Sequence, residues 1–255
     1  MTALARRSLV TSIAGLPLAA ILADPRLAAM AAETLQTVGL TTPGGRKVAA
    51  ALAVPAQTPA PAVLLVHEWW GLNDQIKTMA AESAKEGFLA LAVDLYEGKV
   101  ASDAATAQTL MGAVDPAKAI ETLDVWFAWL KKDSRCTGKV GTVGWCFGGG
   151  WALNASIANP ADATVIYYGR VDHNATELQN LRGPVLGHFA DQDQWINKPM
   201  VAGFEAAMKQ DGKPLEVHWY SANHAFANPT GQNYDKEDAQ VAWKRTLAFF
   251  HKNLG

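Results

Sequence analysis

The sequence predicts an α/β protein: a mostly parallel β-sheet with helices on both faces and an N-terminal antiparallel β-hairpin. Three observations predict it. Short, continuously apolar runs such as Ala62–His67, Phe88–Val93 and Val185–Ala190 alternate with segments of helical periodicity, and strands apolar on both sides belong to parallel sheets that are covered on both faces. Two β-prone runs, Thr34–Leu40 and Lys47–Val54, flank the turn Thr42-Pro43-Gly44-Gly45, the pattern of a hairpin. The apolar run Lys139–Val143 passes directly into Gly144-Trp145-Cys146-Phe147-Gly148-Gly149-Gly150, a tight strand-to-helix turn.

Each further element follows in order. Asp74–Gly87 reads as a helix with Asn73 or Asp74 as cap and Gly87 as stop. Ser102–Met111 and Pro116–Lys132 are helical. In the second, Ile120, Leu123, Phe127 and Leu130 share one face behind a first-turn proline. Beyond the glycine-rich turn come a helix over Gly149–Ile157 and a strand over Thr164–Tyr168. A strand over Val185–Ala190, a helix over Pro199–Gln210, a strand over Leu215–Tyr220 and a closing helix over Glu237–Asn253 complete the pattern.

A chain of 255 residues suits one such domain, placed here at residues 32–255. A formal charge of −2 without any basic cluster argues against a nucleic-acid partner. The two cysteines, Cys136 and Cys146, are separated by a strand, which puts them out of disulfide reach. His67-Glu68 does not extend to a zinc-helix motif, because Gly71 stands where the second histidine belongs. The glycine-rich turn lacks the Lys-Ser/Thr of a phosphate loop. No metal or other cofactor is implied.

Residues 1–31 have the layout of an export signal. Arg6-Arg7 precede the apolar run Leu9–Ala23, and Ala29-Met30-Ala31 offers a small-residue cleavage site. The arginine pair resembles a twin-arginine signal, and the run is short for a bilayer span, which needs ~20 apolar residues. The expectation is a periplasmic or secreted protein with no stable membrane insertion once the signal is removed. The oligomeric state is left open.

In a parallel sheet the reactive groups gather at the carboxyl ends of the strands. There stand His67-Glu68-Trp69, Asp94 with Tyr96, Cys146, Gly169-Arg170, Asp191 with Asp193, and Asn223-His224. Gly144-x-Cys146-x-Gly148 has the spacing of a nucleophile elbow, with Cys in place of Ser, and Cys…Asp…His has the chain order that accompanies it. A thiol must ionise to attack, a histidine can take and return its proton, and an acid behind the histidine fixes its tautomer. His224, in a polar loop after the last strand, is the candidate base, with His67 as rival. Asp193 is the candidate acid, with Asp191 as runner-up. Trp69, Trp70, Trp145 and Trp195 near strand ends suggest an aromatic pocket, whereas Trp126, Trp151 and Trp243 read as core.

With those residues in place, the chain from about 34 to 254 resembles the dienelactone hydrolase (carboxymethylenebutenolidase-like) family, whose fold is the α/β-hydrolase fold. The resemblance rests on Val66-His67-Glu68-Trp69-Trp70-Gly71-Leu72-Asn73, Asp94-Leu95-Tyr96, Val143 to Gly149, Tyr167-Tyr168-Gly169, and Val217 to Tyr220 with His224-Ala225-Phe226. It implies a Cys146–Asp193–His224 triad, a Glu68 that contacts the resting thiol and helps deprotonate it, and an oxyanion hole from the backbone N–H groups of Phe147 and Trp69. It implies hydrolysis of a small-molecule lactone or ester through a thioester.

The resemblance breaks at the arginines that hold the family substrate's carboxylate. Glu97-Gly98-Lys99 stands at one position and Asn228 at the other. Lys99 and Arg170 are candidate replacements, and with Tyr96, Trp145 and Asn228 they make up the candidate substrate-binding set. The competing readings are a redox-active or stress-related thiol protein on the same fold, and a non-catalytic binding module.

Overall fold

The computed structural model describes residues 16–255. One eight-stranded sheet organises the chain, in the order β1-β2-β4-β3-β5-β6-β7-β8. The strands are β1 (Gln36–Thr41), β2 (Lys47–Ala53), β3 (Ala60–Val66), β4 (Leu89–Val93), β5 (Cys136–Trp145), β6 (Ala163–Tyr167), β7 (Val185–Ala190) and β8 (Leu215–Tyr220). β1 pairs with β2 and β2 with β4 antiparallel, and every other pair is parallel. The hairpin and the parallel sheet expected from the sequence are therefore present, in the arrangement of an α/β-hydrolase.

The period of two in the central strands divides the core between two faces. Val63, Leu65, Val143 and Val165 meet α3 (Asp74–Lys85) and α9 (Lys236–Leu254) on one side. Leu64, Val66 and Val140 meet α5 (Pro116–Lys132) and α6 (Phe147–Ala158) on the other. α8 (Lys198–Gln210) covers β6 and β7 through Val201, Phe204 and Met208. The helix starts are held as the sequence suggests. Asn73 accepts from Ile76 N at 3.1 Å, and Asp115 accepts from Ala117 N at 2.9 Å ahead of Pro116; each such cap contributes about 1 kcal/mol.

β5 is longer than the expected Lys139–Val143, because the sequence break at Thr137-Gly138 is absorbed by a bulge. The pairing jumps from Ala60↔Cys136 to Ala62↔Val140, and Gly138 takes φ +87°. Two helices precede the sheet, α1 (Leu18–Ala23) and α2 (Pro25–Ala32), where the sequence analysis placed only the tail of an export signal. Asp24 caps α2 through Arg26 N, Ile21 and Leu22 are buried, and the Thr78 hydroxyl of α3 donates to Ala28 O at 3.2 Å. Arg6-Arg7 and most of the apolar run lie outside the described residues. Among the described residues no helix is long and apolar enough to cross a membrane. The remaining helices, α4 (Ala104–Gly112) and the one-turn α7 (Ala175–Leu178), lie in connections; α7 has too few residues for a periodic signal.

Candidate active site

The site is built where β5 turns into α6. Cys146 has φ +55° and ψ −119°, a conformation an L-residue holds only when its surroundings impose it. The surroundings are backbone. A Cβ on Gly144 would lie 1.9 Å from Gly148 O, and one on Gly148 would lie 2.2 Å from Val66 O. The glycines two residues either side of the thiol are therefore the condition for the turn to close. The result places a half-buried Sγ at the head of a helix whose first N–H groups have no partner within the helix.

His224 reaches this point from the loop after β8. Its Nδ1 is 2.6 Å from Asp193 Oδ2, and Asp193 Oδ1 accepts from Trp195 N at 2.8 Å and from Ile196 N at 3.0 Å. Asp193 is buried, whereas Asp191 is exposed on the same loop. Burial opposes the charge on Asp193. The hydrogen bond and charge of His224, with the two loop N–H groups, outweigh it and hold the carboxyl below the ordinary carboxylate range. Burial also works against an imidazolium at His224. Hydrogen bonding to Asp193 and to Cys146, and the charges of both, raise its pKa to about 10. The histidine thus bridges the thiol and the acid, with Nδ1 committed to Asp193.

His67, the rival base, is fully buried and committed elsewhere. Leu95 N–H donates to its Nε2 at 3.1 Å, which fixes the proton on Nδ1, and Nδ1 donates to Glu68 O at 2.6 Å. Burial lowers its pKa. His188, another strand histidine, is likewise internal, between the Tyr220 and Thr246 hydroxyls at 2.8 and 3.0 Å.

Glu68 sits at the end of β3, buried, with its pKa raised to about 7 by burial against the hydrogen bond of Asn228, the charge of His224 and the Tyr168 hydroxyl. Among the described residues its hydrogen bonds go to two other side chains. Tyr168 Oη donates to Oε1 at 3.2 Å and Asn228 Nδ2 donates to Oε2, so the carboxylate is held by these two side chains and the thiol faces His224. Asn228 is oriented from behind: its Oδ1 accepts from Thr230 N at 2.9 Å and Thr230 Oγ1 at 2.7 Å, which leaves its amide nitrogen for Glu68. It serves the site as a partner of Glu68.

The other candidates separate. The Phe147 N–H, at the first position of α6, and the Trp69 N–H, in the turn after β3, donate to no other group among the described residues. Tyr96 is buried against His67 and Phe147. Trp145 does not face the site: it is 2% exposed and stacked on Tyr167 in the core between α3 and α9, because consecutive strand residues point to opposite faces. Arg170 is turned to solvent, its side chain 74% exposed and paired with Asp172 at 2.6 Å. Lys99 lies on the wall of a separate 880 Å³ cavity between the β1–β2 hairpin, α4 and α5, shared with Arg46, Lys47 and Lys118; none of Glu68, Cys146, Asp193 and His224 lines it.

Two participants were not singled out by sequence reasoning. Tyr168 donates to Glu68 and meets the His224 ring edge-on at 5.2 Å, and Thr230 orients Asn228. Tyr168 follows a strand end within a quoted motif, a signal that was available. Thr230 carries none, because its role appears only when its loop folds back on β3. Among the described residues no group of three or more His, Cys, Asp or Glu is arranged to hold a metal ion.

Known proteins are similar to this chain in sequence and fold. The chain is 32% identical over 246 residues to a putative carboxymethylenebutenolidase of Saccharolobus solfataricus, covering 82% of this chain and 95% of that protein. It is 27% identical over 220 residues to the carboxymethylenebutenolidase of Pseudomonas putida, covering 80% and 91%. The crystal structure of a putative dienelactone hydrolase from Klebsiella pneumoniae superposes with a TM-score of 0.77 at 26% identity, over 86% of this chain and 99% of that one. The family model described as the dienelactone hydrolase family matches residues 48–254, from the second strand of the hairpin through the closing helix, and the chain belongs to that family.

Proposed function

We propose that this protein hydrolyses uncharged lactones or carboxylic esters through a thioester on Cys146. That it is a hydrolase of carboxylic esters or lactones follows from its family; the nucleophile and the substrate preference are the further step. The observation that carries the reading is the line Cys146–His224–Asp193, with the thiol on a backbone turn at φ +55° and the histidine pKa raised by both neighbours.

The chemistry then runs as follows. The Cys146 thiolate attacks the carbonyl carbon, and the π pair moves to the carbonyl oxygen, which the N–H groups of Phe147 and Trp69 receive. Collapse of this intermediate expels the alkoxide, which takes the proton from the His224 imidazolium. The neutral histidine removes a proton from water, and the hydroxide attacks the thioester. Sulfur leaves as thiolate, and His224 is again protonated. Asp193 holds the ring in the Nδ1–H tautomer throughout.

The preference for uncharged substrates is supported by where the cations are. Arg170 is neutralised by Asp172 at the surface, Lys99 lies on the separate cavity, and Asn228 is engaged with Glu68. A redox cycle is not favoured, because Cys136, the other thiol, stands at the far end of β5. Export through the signal in residues 1–31 belongs to the same proposal. Cell fractionation with mass measurement of the mature N-terminus tests it.

The central test is hydrolysis of p-nitrophenyl esters and simple lactones by the wild type, Cys146→Ala and Glu68→Gln. Activity in the wild type that is abolished in Cys146→Ala supports the reading. Retention of activity in Cys146→Ala overturns it, as does a strong preference for the dienelactone over neutral esters that is lost in Arg170→Ala or Lys99→Ala.

A further inference from the structure

His67 is the buried titratable side chain that the scheme above leaves without work. It is fully buried, and both ring nitrogens are engaged by backbone. Leu95 N–H donates to Nε2 at 3.1 Å, and Nδ1–H donates to Glu68 O at 2.6 Å. The ring is also clasped from its sides, edge-on by Tyr96 at 4.6 Å and near-parallel by Phe147 at 5.8 Å and 20°. Burial disfavours the imidazolium, so the ring stays neutral, with one donor and one acceptor.

The oxygen that the ring holds is the informative part. Glu68 O belongs to the same planar peptide as Trp69 N–H, one of the two N–H groups proposed to receive the oxyanion. That peptide is trans, so its C=O and N–H point to opposite sides. A donor that anchors the oxygen therefore aims the N–H. Glu68 O accepts a second bond, from Gly71 N at 3.2 Å, where the chain turns back at φ +92°. The loop after β4 secures the same turn from outside. Ala101 N donates to Trp70 O at 2.9 Å, and Lys99 O lies 2.5 Å from where a Cβ on Gly71 would stand. Leu95 begins that loop, so His67 ties loop and turn together. Trp69 N–H itself donates to no group among the described residues; everything around it is fixed, and it alone is left to donate.

We propose that His67 is a positioning residue for the oxyanion hole: its Nδ1–H, bound to Glu68 O, sets the plane of the Glu68–Trp69 peptide and keeps Trp69 N–H turned toward the reacting carbonyl oxygen. The ring touches no substrate and exchanges no proton. A donor held in place beforehand costs no reorganisation when charge develops. The bond to Glu68 O also polarises the peptide, which strengthens the N–H as a donor.

The inference rests on Cys146 as nucleophile and on Trp69 N–H as oxyanion donor, and the test separates the three. Asparagine places an N–H where Nδ1 stands, and glutamine an oxygen where Nε2 stands. His67→Asn therefore keeps the bond to Glu68 and gives up the one to Leu95, and His67→Gln does the reverse. In His67→Gln, kcat for p-nitrophenyl acetate is expected to fall about 10- to 100-fold, with KM within about 3-fold. His67→Asn should stay within about 3-fold of wild type in both. A purely structural histidine would lower the melting temperature of both variants without this split, and equal kcat in the two variants overturns the proposal.

A second arm needs neither turnover nor a variant that folds. Phenylethyl trifluoromethyl ketone adds to the thiolate: the sulfur–carbon bond forms, the C=O π pair moves to oxygen, and the thiol proton stays on His224. The ¹⁹F signal reports the adduct, whose affinity should fall about 10- to 100-fold in His67→Gln. In ¹⁵N-labelled wild type the Trp69 amide proton should move downfield in the adduct, with His67 protonated on Nδ1 before and after. Absence of any adduct that depends on Cys146 would overturn the nucleophile assignment and this proposal together. An adduct that leaves the Trp69 amide unmoved overturns the oxyanion assignment and this proposal. A shifted Trp69 amide with His67 protonated on Nε2, or with full adduct affinity in His67→Gln, overturns this proposal alone.

Discussion

The indole of Trp195 meets the imidazole of His224 edge-on, with ring centroids 5.1 Å apart and planes at 78°. Trp195 is also 69% exposed, unusual for so large an apolar ring, and Tyr168 holds the same imidazole from another side at 5.2 Å. An exposed aromatic ring at the rim of a reacting centre is an apolar contact for incoming substrate. Trp195→Ala should lower kcat/KM for aryl esters about 10-fold, as the loss of one aromatic contact predicts, and should lower it less for acetate esters of small alcohols. Stability should change by no more than about 0.5 kcal/mol, the usual range for exposed positions. Steady-state kinetics on the two ester classes with a thermal melt checks both.

The two aspartates of one loop should behave oppositely. Asp193→Asn leaves the ring position but removes the charge that fixes the His224 tautomer, and a loss of about 10²–10⁴ in kcat is expected by analogy with other triads. Asp191→Asn, on the exposed side of the loop, should stay within about 2-fold of wild type. Equal losses in the two variants would remove Asp193 from its role.

Glu68 makes stability depend on pH. Its pKa is raised from 4.5 to about 7 in the folded chain, so between those values the folded protein binds more protons than the unfolded one. The sign follows from linkage: this contribution is fully present below pH 4.5 and is lost as pH rises through about 7. Glu68→Gln removes the titration. Its melting temperature relative to wild type should therefore climb between pH 5 and pH 8, by the equivalent of up to about 3 kcal/mol. A difference that is flat with pH would mean that Glu68 does not titrate in this window.

The elbow should tolerate no side chain at its glycines. Gly144→Ala puts a Cβ 1.9 Å from Gly148 O, and Gly148→Ala puts one 2.2 Å from Val66 O. Because the opposing atoms are backbone, neither can rotate away. Each variant should lose about 3 kcal/mol or more by urea unfolding. Gly203→Ala, on α8 with open space around the added carbon, should be neutral or stabilising.

Most of the fold was legible because its signals are local. The apolar runs of β3, β4 and β7, the proline at the start of α5 and the glycines around Cys146 each act within a few residues. The bulge at Gly138 was not legible, since glycine in a strand and glycine at a strand end look alike until the partner strand is known. The site divided along the same line. Cys146, Asp193 and His224 could be named from strand ends and chain order, because the topology carries such residues to one edge of the sheet. The partners of Glu68 could not, because Asn228 lies 160 residues away and meets it only through the path of a loop. Trp145 shows the converse error: its place beside the nucleophile in sequence suggested the pocket, but the alternation of β5 sends its ring to the core.

The helices α1 and α2 bear on the proposed removal of residues 1–31. The small-residue site Ala29-Met30-Ala31 lies within α2 (Pro25–Ala32), a helix tied to α3 by the Thr78–Ala28 hydrogen bond, with Ala28 and Ala31 buried. A peptidase binds its substrate extended, so α2 must undock and unwind before it can be cut there. If the proposed export signal is cleaved there, the rate of cleavage would be set by a local opening equilibrium, and hydrogen exchange at the amides of α2 measures that equilibrium directly. In that proposal, substitution of Thr78 on α3, which donates to Ala28 O, would tune how fast the chain is trimmed.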